Sequence, residues 1–220
     1  MRDDFNIFWK SIESLLTSMP STDTVFNQYR DVNDELDVPS AAAIRLSNLA
    51  NYMLSACESA SILVVGEAAG PWGCRFSGIP FVGERQLIDS SFPINGERSS
   101  RPDPHRVTKI LPPYISNSAT AFWNVLLPFN ARFIVWDAFP LHPHEPGDVL
   151  TVRNPSKKEV SEYGEALKLI KAFVKPSQIV AVGKRAFEEL EALNQPCIYV
   201  RHPSRGGKRA FSEGIRNIFG

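Results

Sequence analysis

The stretch "SILVVGEA", residues 61–68, decides the fold. Four consecutive apolar residues, Ile62–Val65, stop abruptly at Gly66 and Glu67. A run this short, rich in β-branched residues and closed by glycine, reads as a strand buried on both faces. Three more runs of the same kind follow, at Phe133–Trp136, Ile179–Val182 and Cys197–Val200. Patterns of helical period separate the later ones. Val160, Tyr163, Leu167, Ile170 and Val174 form one stripe, opened by the capping-box pair Ser156 and Glu159. Ala186, Phe187 and Leu190 form a second stripe after Gly183, and Phe211, Ile215 and Ile218 a third. Buried strands alternating with helices imply an α/β fold with a parallel sheet covered on both faces.

Upstream, Phe5, Phe8, Trp9, Ile12, Leu15 and Leu16 fall at helical spacing across residues 3–17. A second helix is expected from Ala41 to Cys57, with Leu46, Leu49, Ala50, Met53 and Cys57 on one face. The expected organisation is an N-terminal helical cover, residues 1–58, packed on a main domain, residues 59–220. A chain of 220 residues suits one large domain with such an appendage. Basic and acidic residues balance at 24 each, so any anionic partner must be met by a local patch. Cys57, Cys74 and Cys197 lie far apart, without the spacing of a zinc or iron–sulfur site. The first residues, "MRDDFNIFWK", lack the apolar core of a signal peptide, and no apolar run is long enough to cross a bilayer. The expectation is a cytoplasmic protein without a membrane partner.

Ligands of open parallel sheets bind beyond the carboxyl ends of the strands. Three strand exits therefore matter: "GEAAGPWGCRFSGIPFVGE" (66–84), "DAFPLHPHEPGD" (137–148) and "RHPSRGGKRAF" (201–211). A long polar loop, 88–116, contains "NGERSSRPDPHR" and reads as either mobile or partner-contacting. Taken singly, each exit has a bland reading. The first has neither a P-loop ending nor a Rossmann fingerprint. Glu67 reads as a capping carboxylate and Phe81 as core. The histidines of "HPH" (142–144) have no third ligand at a convincing spacing, so metal binding is not expected. There is no GxSxG elbow, and Lys184 merely opens a helix. His202, directly after a strand, suits a hydrogen-bond donor to a developing anion; the basic residues after it also suit a solvated turn.

Taken together, the exits resemble the uracil-DNA glycosylase superfamily. "GEAAGPWGCRFSGIPFVGE" is similar to the first motif of the single-strand-selective monofunctional branch, and "GEAAG" itself to the thermophile-type branch. "SATAFW" (118–123) resembles the helix start that follows, and "HPSRGG" (202–207) the second motif. The resemblance spans residues 60–220 and implies a three-layer α/β/α sandwich around a four-stranded parallel sheet. It implies a monomeric, monofunctional DNA glycosylase hydrolysing the N-glycosidic bond of a flipped base, with no cofactor and no metal. By resemblance, His202 stabilises the negative charge that the departing base develops. Phe81 stacks on that base, and Gly70, Ala68 and Trp72 belong to the base pocket. Ser204, Arg205, Gly206, Lys208 and Arg209 contact DNA. Ala68 departs from the pattern: some branches carry Asp or Asn there to position the attacking water. Glu67 is the nearest substitute.

A second departure is Asp137, in "DAFPL", where the single-strand-selective branch has an Asn whose amide reads uracil. An ionised carboxylate only accepts hydrogen bonds, so it opposes O4 of uracil and suits the N4 amino group of cytosine. If protonated, it could also donate to N3. The expected substrate is therefore a cytosine-type base. Attack on ordinary cytosine would destroy the host genome, so selectivity must rest on a modification. Gly70 stands where the tightest uracil-specific branch has a Tyr crowding C5, which leaves room for a C5 substituent. Hydroxymethylated or glucosylated cytosine in phage DNA fits, and a role in phage defence follows. The alternatives are a uracil-DNA glycosylase of base excision repair and a module that binds a flipped base without cutting. In a further alternative, Asp137 turns away to cap a loop or pair with an Arg.

Overall fold

A computed structural model describes residues 2–103 and 108–220. The chain opens with α1 (Arg2–Ser18), the two-residue strand β1 (Val25–Phe26) and α2 (Ala41–Ala56). The first sheet strand, β2 (Ile62–Ala68), leads into two short helices, α3 (Cys74–Ser77) and α4 (Glu84–Leu87). Next come α5 (Asn117–Leu126), a 3-10 turn over Leu127–Arg132, β3 (Phe133–Phe139) and the short β4 (His142–Pro143). The last third holds α6 (Lys157–Glu162), α7 (Gly164–Val174), β5 (Gln178–Val182), α8 (Lys184–Ala192), β6 (Ile198–Val200) and α9 (Lys208–Phe219).

The sheet is four-stranded and parallel throughout, in the order β3-β2-β5-β6. Successive connections leave β2 in opposite directions, so the chain reverses its winding at β2 and β5. This is where open α/β sheets leave a crevice at their carboxyl ends. α8 packs on β2, β3 and β5, α7 on β3, and α9 on β6 and α5, giving the three layers expected. No described helix is long and apolar enough to cross a membrane.

The strands run further than their apolar runs. β2 continues through Gly66 and Glu67 to Ala68, and β3 continues through Asp137 to Phe139. Gly66 pairs with Asp137 in the ladder, so both polar exits are held by sheet geometry rather than by loops. β6 is less buried than its apolar sequence suggests. It begins at Ile198, and Ile198 and Tyr199 are exposed because it is an edge strand. The opposite edge is covered: the Val135 amide donates to the Tyr52 hydroxyl of α2 at 2.8 Å. The expected continuous helix to Val174 breaks at Tyr163, where Gly164 lies against Leu193; a Cβ at Gly164 would come within 3.0 Å of it. The capping box forms, with Glu159 accepting from the Ser156 amide and Ser156 Oγ from the Glu159 amide.

The N-terminal segment shares the main core. Phe5, Phe8, Ile12, Leu16 and Tyr29 pack in one apolar cluster with the sheet, and Phe8 stacks on Phe173 of α7 at 4.2 Å. It also braces the first strand exit. Tyr29 Oη donates to Gly78 O at 2.8 Å, and Gln28 Nε2 to Pro140 O at 2.7 Å. Asp37 is buried between two guanidiniums, 2.6 Å from Arg45 Nη2 and 2.6 Å from Arg75 Nη1. Burial alone would raise its pKa, but Arg75 and Arg45 hold it below the ordinary carboxylate range. Removing this anion would leave two buried cations facing each other. Asp37→Ala is therefore expected to cost about 3–5 kcal/mol, and to lower Tm by roughly 6–20 °C. Thermal unfolding followed by circular dichroism measures this; an unchanged Tm would mean that the two arginines find other anions.

Part of the polar loop 88–116 is firmly anchored. The buried Glu84 carboxylate accepts the amides of Ser99 and Ser100, both at 2.9 Å, the Ser100 hydroxyl at 2.7 Å and the Tyr114 amide at 3.3 Å. The "PHRV" portion of that loop, residues 104–107, lies outside the described residues.

Candidate active site

A cleft of about 580 Å³ opens over the carboxyl ends of β2, β3 and β5 and beside the exit of β6. Glu67, Ala68, Gly70, Phe81, Asp137, His202, Ser204 and Arg205 all line it. These residues come from all three strand exits. Trp72 does not line the cleft. Its ring turns into a small apolar cluster against Tyr114, with ring centroids 5.2 Å apart, beside Phe76 and Leu36. Gly206, Lys208 and Arg209 also lie off the wall. The two basic residues are exposed, and Arg209 pairs with Glu213 at 2.8 Å.

Asp137 is only 3% exposed, and no described residue gives its carboxyl a hydrogen bond or an arginine partner. Its Oδ1 lies directly over Gly66. A Cβ on Gly66 would sit 2.4 Å from that oxygen and 2.8 Å from the Phe81 ring. Only glycine lets both side chains approach the strand so closely. Burial, and then the neighbouring Glu67, raise the Asp137 pKa to about 8. Glu189 of α8 belongs to the same acidic cluster: burial, then Glu67 and Asp137, push it up to about 9. Glu67 itself is raised by burial; Arg185 opposes the shift and Glu188 adds to it. Its Oε1 is buried without a hydrogen-bond partner. At neutral pH, Asp137 is mostly a neutral acid, with one donor and one acceptor.

Phe81 is held in a strained state. Its φ of 56° is left-handed, unusual for an aromatic residue. Trp123 Nε1 donates to its carbonyl at 2.8 Å, and its ring stacks on Phe122 at 4.2 Å and 15°. The His202 ring lies 6.5 Å away. His202 follows β6, and Gly183, at φ 97°, passes under it: a Cβ there would meet His202 Cβ at 3.1 Å. The Ser204 amide donates to His202 Nδ1 at 3.1 Å, and Ser204 Oγ lies 2.8 Å from the same nitrogen. Nδ1 is therefore an acceptor, and the ring proton sits on Nε2. Burial, then Arg201 and Arg205, lower the ring's pKa to about 4. The site thus holds a neutral imidazole with a free Nε2–H.

The wall also includes residues that sequence reasoning did not single out. Lys184, Arg185, Arg201 and Arg205 give the cleft a cationic rim, the local patch that a neutral chain needs to hold a polyanion. Ser116, Ser118 and Asn154 add polar groups. The "HPH" histidines face elsewhere: His142 is fully buried, with Nδ1 2.7 Å from Ala69 O and Nε2 2.8 Å from Val149 O, as a strut behind the first exit.

Residues 55–214 match the family model of the uracil DNA glycosylase superfamily. The chain belongs to that superfamily. It is a DNA glycosylase, an enzyme that acts on DNA by hydrolysing N-glycosidic bonds. The crystal structure of wild-type SMUG2 from Pedobacter heparinus is similar to this glycosylase, with a TM-score of 0.56 and 12% identity over 96% of both chains. At that identity the likeness concerns the fold. No curated protein matches the sequence.

Proposed function

We propose that this glycosylase excises a cytosine-type base carrying a C5 substituent, flipped into the cleft from DNA. The carrying observation is Asp137, a buried acid facing the cleft with no partner in the protein. A buried polar group without a partner is costly, so the substrate is expected to supply one. The neutral acid accepts from the N4 amino group and donates to N3 of cytosine. As the C1′–N1 bond breaks, its electron pair passes to the base and the Asp137 proton moves to N3. The base then leaves neutral, and Asp137 is left as a carboxylate. His202 Nε2–H donates to O2, where negative charge accumulates before that transfer completes. Phe81 offers the stacking face. Glu67 Oε1, buried and unpartnered, is free to orient the attacking water in place of Ala68.

Gly70 supports the C5 part of the reading: a Cβ there would meet nothing within 4 Å. Such space accommodates a hydroxymethyl group or the start of a larger substituent. Hydroxymethylated or glucosylated cytosine in phage DNA satisfies this chemistry and spares an unmodified genome, which makes defence against phage the biological role. In this reading the enzyme is a monomer, residues 59–220 carry the chemistry and residues 1–58 brace it.

One observation favours a second reading. A neutral Asp137 can also donate to O4 and accept from N3–H, so uracil fits as well. A panel of oligonucleotides carrying uracil, cytosine, 5-hydroxymethylcytosine or its glucosylated form separates the two. Alkali cleaves the abasic product. Breaks only at modified cytosine are the expected result; breaks at uracil alone would replace the reading with uracil repair.

A further inference from the structure

Ile110, Leu111 and Ile115 are 58%, 70% and 53% exposed. Single exposed apolar residues need no explanation, but three within six residues at the mouth of a ligand cleft do. The loop that carries them ends at Ser116, and Ser116 and Ser118 line the cleft. Five residues at about 3.5 Å each keep Leu111 within roughly 17 Å of Ser116. The loop is braced from beneath. Tyr114 is fully buried, with its ring 4.5 Å from Phe76, and its carbonyl accepts the Arg85 amide at 3.2 Å. Thr108 Oγ1 donates to Ile110 O at 2.6 Å. Apolar tips therefore project from a fixed base.

We propose that Leu111, with Ile110 and Ile115 beside it, is an apolar wedge that enters the base stack next to the flipped nucleotide. Extruding a nucleotide leaves a gap and unstacks its neighbours, and inserted apolar side chains fill such gaps in DNA. The loop that follows His202 offers no apolar residue for this: Arg205, Gly206 and Gly207 occupy it, with Arg205 and Gly206 in left-handed backbone. The cationic rim holds the phosphates, and the loop lies on the same mouth. Base stacks are therefore the surface this patch meets. The proposal holds whichever base the cleft accepts.

The test uses a duplex with a tetrahydrofuran abasic analogue beside 2-aminopurine, whose fluorescence rises when it unstacks. This probe needs no knowledge of the excised base. Full-length wild-type protein should raise the signal on binding. Leu111→Ser should abolish most of that rise and weaken duplex binding roughly 10–100-fold, the worth of one buried leucine. Binding to the same single strand should change less than about twofold, since no stack is entered there. Leu111→Phe should retain the signal. An unchanged signal and affinity in Leu111→Ser would overturn the proposal, as would equal losses on single and double strands. It would also fall if Arg205→Ala alone removed the signal, or if Leu111→Ser only dissociated a wild-type dimer.

Discussion

Asp137→Asn should lower cleavage of the cytosine-type substrate by about 10²–10⁴-fold, the range of general acid catalysis. The amide keeps one donor side and one acceptor side, so it still matches the base edge. It has no proton to transfer. Cytosine leaves poorly as an anion and depends on that proton, whereas uracil, the more stable anion, does not. Cleavage of uracil should therefore hold or rise, and selectivity should move toward uracil. Folding should survive, because Asp137 makes no hydrogen bond within the described protein and the two side chains are nearly the same size. The pH profile supplies an independent check. The Asp137 pKa is raised to about 8 by burial and Glu67, so the proton is present below that pH and lost above it. Activity should fall as pH rises through about 8, and this limb should disappear in Asp137→Asn. Glu67 on β2 and Glu189 on α8 face the same group, and Tyr29 and Cys74 adjoin it from the N-terminal segment and α3. A limb that persisted in Asp137→Asn would therefore belong to these neighbours. Unchanged base preference together with an unchanged limb would remove Asp137 from the chemistry.

The sheet was legible because four short apolar runs, each buried, can belong to little else. The site was legible to the extent that it lies at strand ends. Glu67, Asp137 and His202 each follow such a run directly, and a parallel sheet brings its carboxyl ends together whatever lies between them. Trp72 shows the limit. It sits within the first motif, but its partner Tyr114 comes 42 residues later, and local sequence does not tell which way an aromatic ring in a loop will turn. The Asp37–Arg45–Arg75 cluster was hidden for the same reason. Its members read as ordinary surface charges until three separate segments bury them together. Gly66 could have been noticed: it interrupts an apolar run inside what proves to be the strand, a position that often marks a close approach. What it approaches, Asp137 and Phe81, follows only from the register of β2 against β3.

His202→Ala should slow single-turnover excision by roughly 10²–10³-fold, the cost of deleting one preorganised donor to a developing anion. Affinity for a duplex with an abasic analogue should change only a few-fold, because the Nε2–H meets the base rather than the backbone. The same geometry fixes the pH behaviour. With the Ser204 amide on Nδ1 and the ring pKa lowered to about 4 by burial, Arg201 and Arg205, the imidazole stays neutral across the working range. No acid limb from His202 should appear above about pH 5. A neutral donor is the better arrangement here. An imidazolium would add a buried cation beside Arg201 and Arg205, and each empty site would carry that repulsion. The neutral ring carries no such penalty, and its hydrogen bond strengthens only as charge builds on O2, so the gain falls on the transition state rather than on binding. Ser204→Ala should therefore be mild, since the tautomer is set by a backbone amide that the substitution keeps. If His202→Ala lost DNA affinity in step with rate, His202 would be a binding residue. If neither changed, the charge on the departing base would have to be met by another group in the cleft.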